Sequence, residues 1–296
     1  VFDASAKTLT LENAAISVTT EEKAIEIRSG IDTLILKGKN EIKWADESDK
    51  KTSICAISAS SSSFLIKGNS REDSLTVTLP GTTGGYYRAY AISISSAEIH
   101  NCSLDITVIG GMQNGGDNVA IRVANGDFKI KDTALNLTVG KDRKGNVQKA
   151  MQGACIYAPG MLTIENAYVH AGIYSSLDAQ HAYYYAALQG CGGISCTDSV
   201  VYAESDVLRA GRTICIDGTG NVFSIKNSIF KSKSNQYAVQ ANRAAKPTVE
   251  NSYVVFETKD ILMYGPTFGT ISGFTKITAT DKNGKDTTYK PGDDLS

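Results

Sequence analysis

No stretch of 18 apolar residues occurs in the 296-residue chain, so nothing in it reads as a membrane-spanning helix. Neither sign of charge is in excess. Thirty Lys and Arg stand against 31 Asp and Glu, and the net charge of −1 leaves no electrostatic footprint for nucleic acid or an anionic membrane. Apolar residues never keep i, i+3, i+4 spacing for more than two helical turns, which excludes a helix-rich domain. The six cysteines, Cys55, Cys102, Cys155, Cys191, Cys196 and Cys215, contain no CxxC pair of the metal-binding kind. They read as buried thiols that pack as small hydrophobes. His100, His170 and His181 are scattered over different segments and do not form a zinc site or a triad. The segment 281–286, DKNGKD, lacks the spacing and the final Glu of an EF-hand loop. Val1 begins in mature-looking sequence, so any secretion signal is expected to have been removed or never to have been there.

What the chain does have is a repeat. Nine Gly, Asn or Asp residues close one short β segment and open the next: Asn13, Gly38, Gly68, Asn101, Asp132, Asn166, Asp198, Asn227 and Asn251. Their spacings of 25, 30, 33, 31, 34, 32, 29 and 24 residues fall inside the window of about 20–50 that marks solenoids. The shared demand is a left-handed backbone turn, which only these residue types enter cheaply, and asparagines can also stack in ladders. Around each turn the same template recurs, most plainly in LTLENAAISV (9–18) and LTIENAYVHA (162–171). A first strand reads AIEI (24–27), AISI (91–94) or AIRV (120–123), an L-x-I strand follows, and a third strand leaves the ladder residue, as in CSLDITV (102–108). Three short strands with period-two alternation cannot bury a face alone, whereas stacked copies bury one continuous core.

The expected fold is therefore all-β, a right-handed parallel β-helix of about nine coils over residues 1–258. A C-terminal cap and tail, 259–296, should hold a hairpin around Asn283-Gly284. At about 4.8 Å between coils, nine of them make a rod with roughly 40 Å between its end turns. Residues 1–7 should cover one open end and the tail from Lys259 the other, because an uncovered strand edge invites pairing with another molecule.

In such a rod the core is filled, so function belongs to outward strand positions and loops. The outward row of the first sheet should be Glu26, Ser58, Ser93, Arg122, Ile156, Gln189, Cys215 or Asp217, and Gln240. Its two carboxylates, Glu26 and Asp217, lie about six coils apart, roughly 29 Å, whereas glycosidase pairs need about 5–9.5 Å. No catalytic residue and no metal ligand is assigned, and the chain reads as leaning away from an enzyme. No cofactor is expected, and the place calcium would choose is the oxygen-rich loop 110–118 with Asp127. Aromatic residues carry the strongest functional signal. The stretches GGYYRAY (84–90) and HAYYY (181–185) lead back into the first sheet, so Tyr86, Tyr87, Tyr90, Tyr183, Tyr184 and Tyr185 should fringe that face. Tyrosine rings cover the C–H faces of sugars at low entropy cost, and Arg88, Arg122, Arg209, Arg212 and Arg243 add donors suited to carboxylates. Packing of the long loops competes as an explanation for the same tyrosines.

The whole pattern over residues 8–256 resembles the parallel β-helix of the pectate-lyase type, with an asparagine ladder between its second and third sheets. None of the polygalacturonase signatures on that fold is present: Asn-Thr-Asp, a mid-barrel Asp-Asp, Gly-His-Gly and Arg-Ile-Lys are all missing, and the sole Asp-Asp is Asp293-Asp294. The stretch AIEIRSGIDTLILKGKNEI (24–42) is similar to repeats of bacterial surface β-helix proteins grouped as carbohydrate-binding domains. That resemblance implies binding of polysaccharide, including acidic sugars such as polygalacturonate together with calcium, without established catalysis. The expected role is a non-catalytic polysaccharide-binding module of a secreted or cell-surface bacterial protein, with no nucleic-acid partner and no membrane insertion. Two alternatives stay open: a polysaccharide lyase with a loop-borne site, and a structural adhesin or stalk unit.

Overall fold

A computed structural model describes residues 1–296 apart from 20–21, 29, 49, 51, 62, 83–86, 111–116, 149–151, 177–183, 208–210, 217–221, 242–246, 260, 265–269, 274, 281–282 and 291–296, and gives no side chains at 152, 184–185 and 261–264. The chain is a right-handed parallel β-solenoid of three sheets, and no helix occurs among the described residues. The first sheet has nine strands, from Lys23–Ile27 at one edge to Ile261–Tyr264 at the other. The second and third sheets have eleven strands each, every count including the antiparallel strand that closes one end.

The two closures differ. Phe2–Asp3 runs antiparallel against Thr8–Glu12 and covers the start of the second sheet. Asp286–Tyr289 runs antiparallel to Lys276–Thr280 and covers the end of the third, with Gly284 at φ 74° in the intervening turn. The expected hairpin is present, but stacking does not stop at residue 258. Ile261–Tyr264, Thr270–Ser272 and Lys276–Thr280 add one more parallel strand to each sheet, so the cap begins after Thr280.

Left-handed turns set the repeat. Asn13, Asn101, Asp132, Asn166, Asp198, Asn227 and Asn251 all have φ between 45° and 54°, and Gly38 has φ 66°. Their side chains bond along the rod: Asn166 donates to Asp132 at 2.6 Å, Asn227 to Asp198 at 3.0 Å and Asn251 to Asn227 at 3.4 Å. Gly38 leaves its side-chain space to Asn13, whose Oδ1 would stand 2.1 Å from an added Cβ.

Gly68 is a correction, because its backbone is not left-handed. Five residues, Asn69 to Asp73, are inserted before the third strand, and the Asp73 carboxylate organises the turn by accepting the Asn69 and Gly38 amides at 2.7 Å each. Those amides hold its carboxyl below the usual carboxylate range. A Cβ on Gly68 would meet the Asn101 carbonyl and the Asp73 Cβ at 2.6 Å, so glycine is required there by close approach. The ladder also gains a position, Gly273, at φ 66°, where an added Cβ would collide with Asn251 Oδ1.

Just inside the outer ladder runs a buried hydroxyl ladder. Ser199, Ser228, Ser252 and Thr275 each donate to a carbonyl two or three residues back, and each accepts the amide of the preceding coil's residue at 3.0–3.3 Å. Every buried oxygen in this series thus has partners, which removes the cost of about 1–3 kcal/mol that an unmade bond carries. The core beneath is stacked in like columns, such as Ile66, Ile99, Ile130 and Ile164, followed by Cys196 and Ile225, all buried. Burying each such isoleucine side chain contributes about 1.5–3 kcal/mol.

Candidate functional site

On the first sheet the strand pattern is not simple alternation. Pairing register skips one residue per strand, and two consecutive side chains turn inward: Ala56 and Ile57, Ala91 and Ile92, Ala120 and Ile121, Cys155 and Ile156. The small first member of each pair is what lets two neighbours share the core side. One consequence corrects the expected outward row. Ile156 is fully buried and Tyr157 takes its place, so the row runs Glu26, Ser58, Ser93, Arg122, Tyr157, Gln189, Cys215 and Gln240. Cys215, though in this row, is buried, and Asp217 lies outside the described residues.

Five successive members, Ser58, Ser93, Arg122, Tyr157 and Gln189, are half-buried and polar. They stand one strand spacing apart along the rod, about 4.8 Å. Beside them is a parallel outward row of Cys55, Tyr90, Val119 and Ala154, which packs together with Tyr157 as a small apolar cluster outside the barrel. The Arg122 guanidinium sits over the Tyr90 ring, 5.2 Å from its centroid, a stacked arrangement that fixes its direction. No carboxylate lies within 4.0 Å of Arg122 among the described residues.

Tyr90 is 8% exposed, so it is the base on which Arg122 rests and not an open ring at the fringe, as the sequence had suggested. Its hydroxyl donates to Asp117 Oδ2 at 3.4 Å, and burial followed by the Asp117 charge pushes its pKa up to about 12. Arg88 reaches the same carboxylate at 4.0 Å and is more than half exposed. Tyr87 is 40% exposed beside it. Tyr86 and Tyr183 lie outside the described residues, together with Arg209, Arg243 and His181. Tyr184 and Tyr185 are placed only as backbone of the strand Tyr184–Gly190. The structure thus joins Arg88 and Tyr90 to Asp117 and sets Arg122 over Tyr90.

Of the oxygen-rich loop 110–118, residues 111–116 lie outside the described residues. Asp117 opens the strand Asp117–Val123 and is engaged with Tyr90 and Arg88, whereas Asp127 lies past the far end of that strand and accepts the Met161 amide at 2.8 Å. The two are not neighbours. Among the described residues no three His, Cys, Asp or Glu gather in a way that could hold a metal ion. The thiols are all outside disulfides, and burial pushes Cys55 and Cys102 up to about 12 and Cys196 up to about 11. Neutral buried thiols are poor nucleophiles. Among the described residues no helix is long and apolar enough to cross a membrane.

A second open surface was not foreseen. On the third sheet, a groove of about 310 Å³ is lined by Tyr168, His170, Tyr202, Glu204, Lys231 and Lys233, with Val255 and Glu257 at one side. The Tyr168 and Tyr202 rings meet at 6.0 Å with a 60° tilt, and Lys231 Nζ lies 5.5 Å from the Tyr202 centroid. Only the ladder register shows that these residues fall in columns.

No protein-family model matches the chain, and no curated protein or solved structure matches it. The class that fold and geometry define is a right-handed parallel β-solenoid with a polar outward row on its first sheet.

Proposed function

We propose that the protein is a polysaccharide-binding module, secreted or displayed at a cell surface, and that its first sheet carries the site. One observation supports this most: Ser58, Ser93, Arg122, Tyr157 and Gln189 stand in register on five successive strands as hydrogen-bonding groups facing outward. A linear ligand with repeating hydroxyls, laid along the rod, meets one such group per strand. The stacked guanidinium at the centre of the row presents two parallel donors, the geometry that suits a carboxylate. An acidic sugar is therefore the favoured ligand, with Tyr87 and Arg88 at the rim and calcium as an optional bridge between acidic chains.

Catalysis does not follow from this geometry. Arg122 has Ser93 and Tyr157 as its neighbours in the row, and among the described residues Asp117 is the carboxylate joined to its surroundings, held by Tyr90 and Arg88. A glycosidase needs two carboxyl groups facing one bond. Affinity electrophoresis against a panel including polygalacturonate, with and without calcium, tests the proposal. The protein should be retarded by at least one polysaccharide, and Arg122→Ala should weaken that retardation about tenfold or more, because hydrogen bonds to charged groups contribute about 1.5–3 kcal/mol. Ultraviolet-absorbing products in the same incubations would show a lyase instead.

A further inference from the structure

The outward face of the third sheet has its own composition. Reading the registers of the strands Tyr168–Ser175, Val200–Val207, Ile229–Ser234 and Tyr253–Thr258 across the sheet gives three columns that run along the rod. The column nearest the ladder is Tyr168, Val200, Ile229 and Tyr253. The next is His170, Tyr202, Lys231 and Val255, and the third is Gly172, Glu204, Lys233 and Glu257. Tyr168, Ile229 and Tyr253 are 36%, 39% and 41% exposed, so three of the exposed large apolar side chains of the molecule share one column. Scattered apolar side chains need no explanation, but a contiguous line of them marks an interaction surface.

The charges on this face behave differently from those on the second sheet. There, Lys226 and Glu250 are direct cross-strand neighbours and are paired at 3.2 Å. Here Glu204, Lys233 and Glu257 are also direct cross-strand neighbours, yet no ion pair within 4.0 Å forms between them. Their charges face outward instead.

The order of residues in the columns is self-complementary. A two-fold axis parallel to the strands, passing midway between Val200–Val207 and Ile229–Ser234, lays the sheet of a second copy face to face with the first. Each column then meets its own reverse. Tyr168 faces Tyr253 of the second copy, and Val200 faces Ile229, so apolar meets apolar. Tyr202 faces Lys231, extending the ring-to-ammonium contact already present within one chain. Glu204 faces Lys233, giving two symmetric ion pairs about the axis. Glu257 faces Gly172, over which the Tyr174 hydroxyl leans, 2.4 Å from where a Cβ would stand, and which can donate to a carboxylate. No like charges oppose one another in this arrangement, and the isologous form is the commonest for soluble oligomers.

We infer that the third-sheet face is a homodimer interface, with two rods packed side by side and pointing in opposite directions. The four strands span roughly 19 Å by 16 Å, less than the roughly 800 Å² per partner of a standard stable interface, so the dimer is weak and forms with rising concentration.

Sedimentation velocity of the whole chain from low micromolar to several hundred micromolar tests this. The native protein should pass from monomer to dimer over that range. Ile229→Glu should remain monomeric throughout. Lys233→Glu should weaken association about tenfold or more, and the double reversal Glu204→Lys with Lys233→Glu should bring it back to within about threefold of native. All three positions are exposed or half-buried, and unchanged melting curves would confirm that the variants fold. A native protein that stays monomeric across the range would overturn the inference, as would a dimer that survives Ile229→Glu or a double reversal no better than the single one. If Tyr168→Ala instead abolished retardation by a polysaccharide, the face would belong to a glycan and the inference would also fall.

Discussion

The first and third sheets are built from the same repeat, yet they present opposite kinds of surface. On the first, two consecutive residues per strand turn inward, and the outward side chains lean on one another: Arg122 rests on Tyr90, and Tyr90 packs with Val119 and Ala154. On the third, the strands Val200–Val207, Ile229–Ser234 and Tyr253–Thr258 alternate regularly, and Tyr168 and Tyr253 are exposed. Tyrosine thus does two different jobs within one fold. Under Arg122 it is a buried support, and at Tyr168 and Tyr253 it is an exposed ring. The residue type alone does not decide which; the packing around each ring does, with Tyr90 inside a cluster of Cys55, Val119 and Ala154 and Tyr168 left 36% exposed.

The widest gap between the faces should show when one substitution is made on both. Tyr90→Ala removes a nearly buried ring together with the Asp117 hydrogen bond, and should cost about 3 kcal/mol in a denaturant melt. Tyr168→Ala, on an exposed position, should change the same melt by less than about 0.5 kcal/mol. Equal losses would mean that the two faces are packed alike.

A smaller effect is expected at the turn that launches the third-sheet strand Tyr168–Ser175. Asn166→Val puts a β-branched residue at φ 45° and removes the bond to Asp132, so a loss of about 1–3 kcal/mol should follow. An unchanged melting temperature would contradict the ladder's role in setting that sheet's register.

A change spread over the first sheet and the core is expected on raising pH. Tyr90, Cys55 and Cys102 have folded values up to about 12, and Cys196 up to about 11, all raised first by burial. The unfolded chain loses these protons first, from about pH 9 for thiols and about pH 10 for tyrosine. Stability is therefore fully present below pH 9 and is lost progressively as pH rises toward 11–12. Melts at pH 8, 10 and 11 should show a falling midpoint, and a flat series would contradict the burial of these groups.

The fold was legible in the sequence because its signal is local and repeated. A left-handed turn admits few residue types, so Asn13, Asn101, Asp132, Asn166, Asp198, Asn227 and Asn251 announced themselves. Gly68 misled because a glycine can serve close approach as well as positive φ, and only the fold reveals that Asp73 supplies the missing turn contacts. The end of the solenoid was placed too early because Gly273 follows Asn251 by only 22 residues and its short strand Thr270–Ser272 carries little pattern.

The site was less legible, for two physical reasons. The first-sheet row slips by one residue at Tyr157 because Cys155, and not Ala154, is the small first member of the inward pair in that coil, which period-two counting cannot see. The third-sheet columns join residues about 30 apart, such as Tyr168, Val200 and Ile229, whose kinship exists only after the coils are stacked. Aromatic-rich loops drew attention to the first sheet, while the exposed rings of the third lay in strands that read as ordinary alternation.

Affinity electrophoresis of native protein, Arg122→Ala and Tyr168→Ala against the same polysaccharide panel is the most direct test of the division between the two faces. Retardation of the native protein that is lost in Arg122→Ala and kept in Tyr168→Ala is the expected result. Retardation unaffected by Arg122→Ala, or no retardation of the native protein by any polysaccharide, would contradict the assignment of the first sheet to glycan binding.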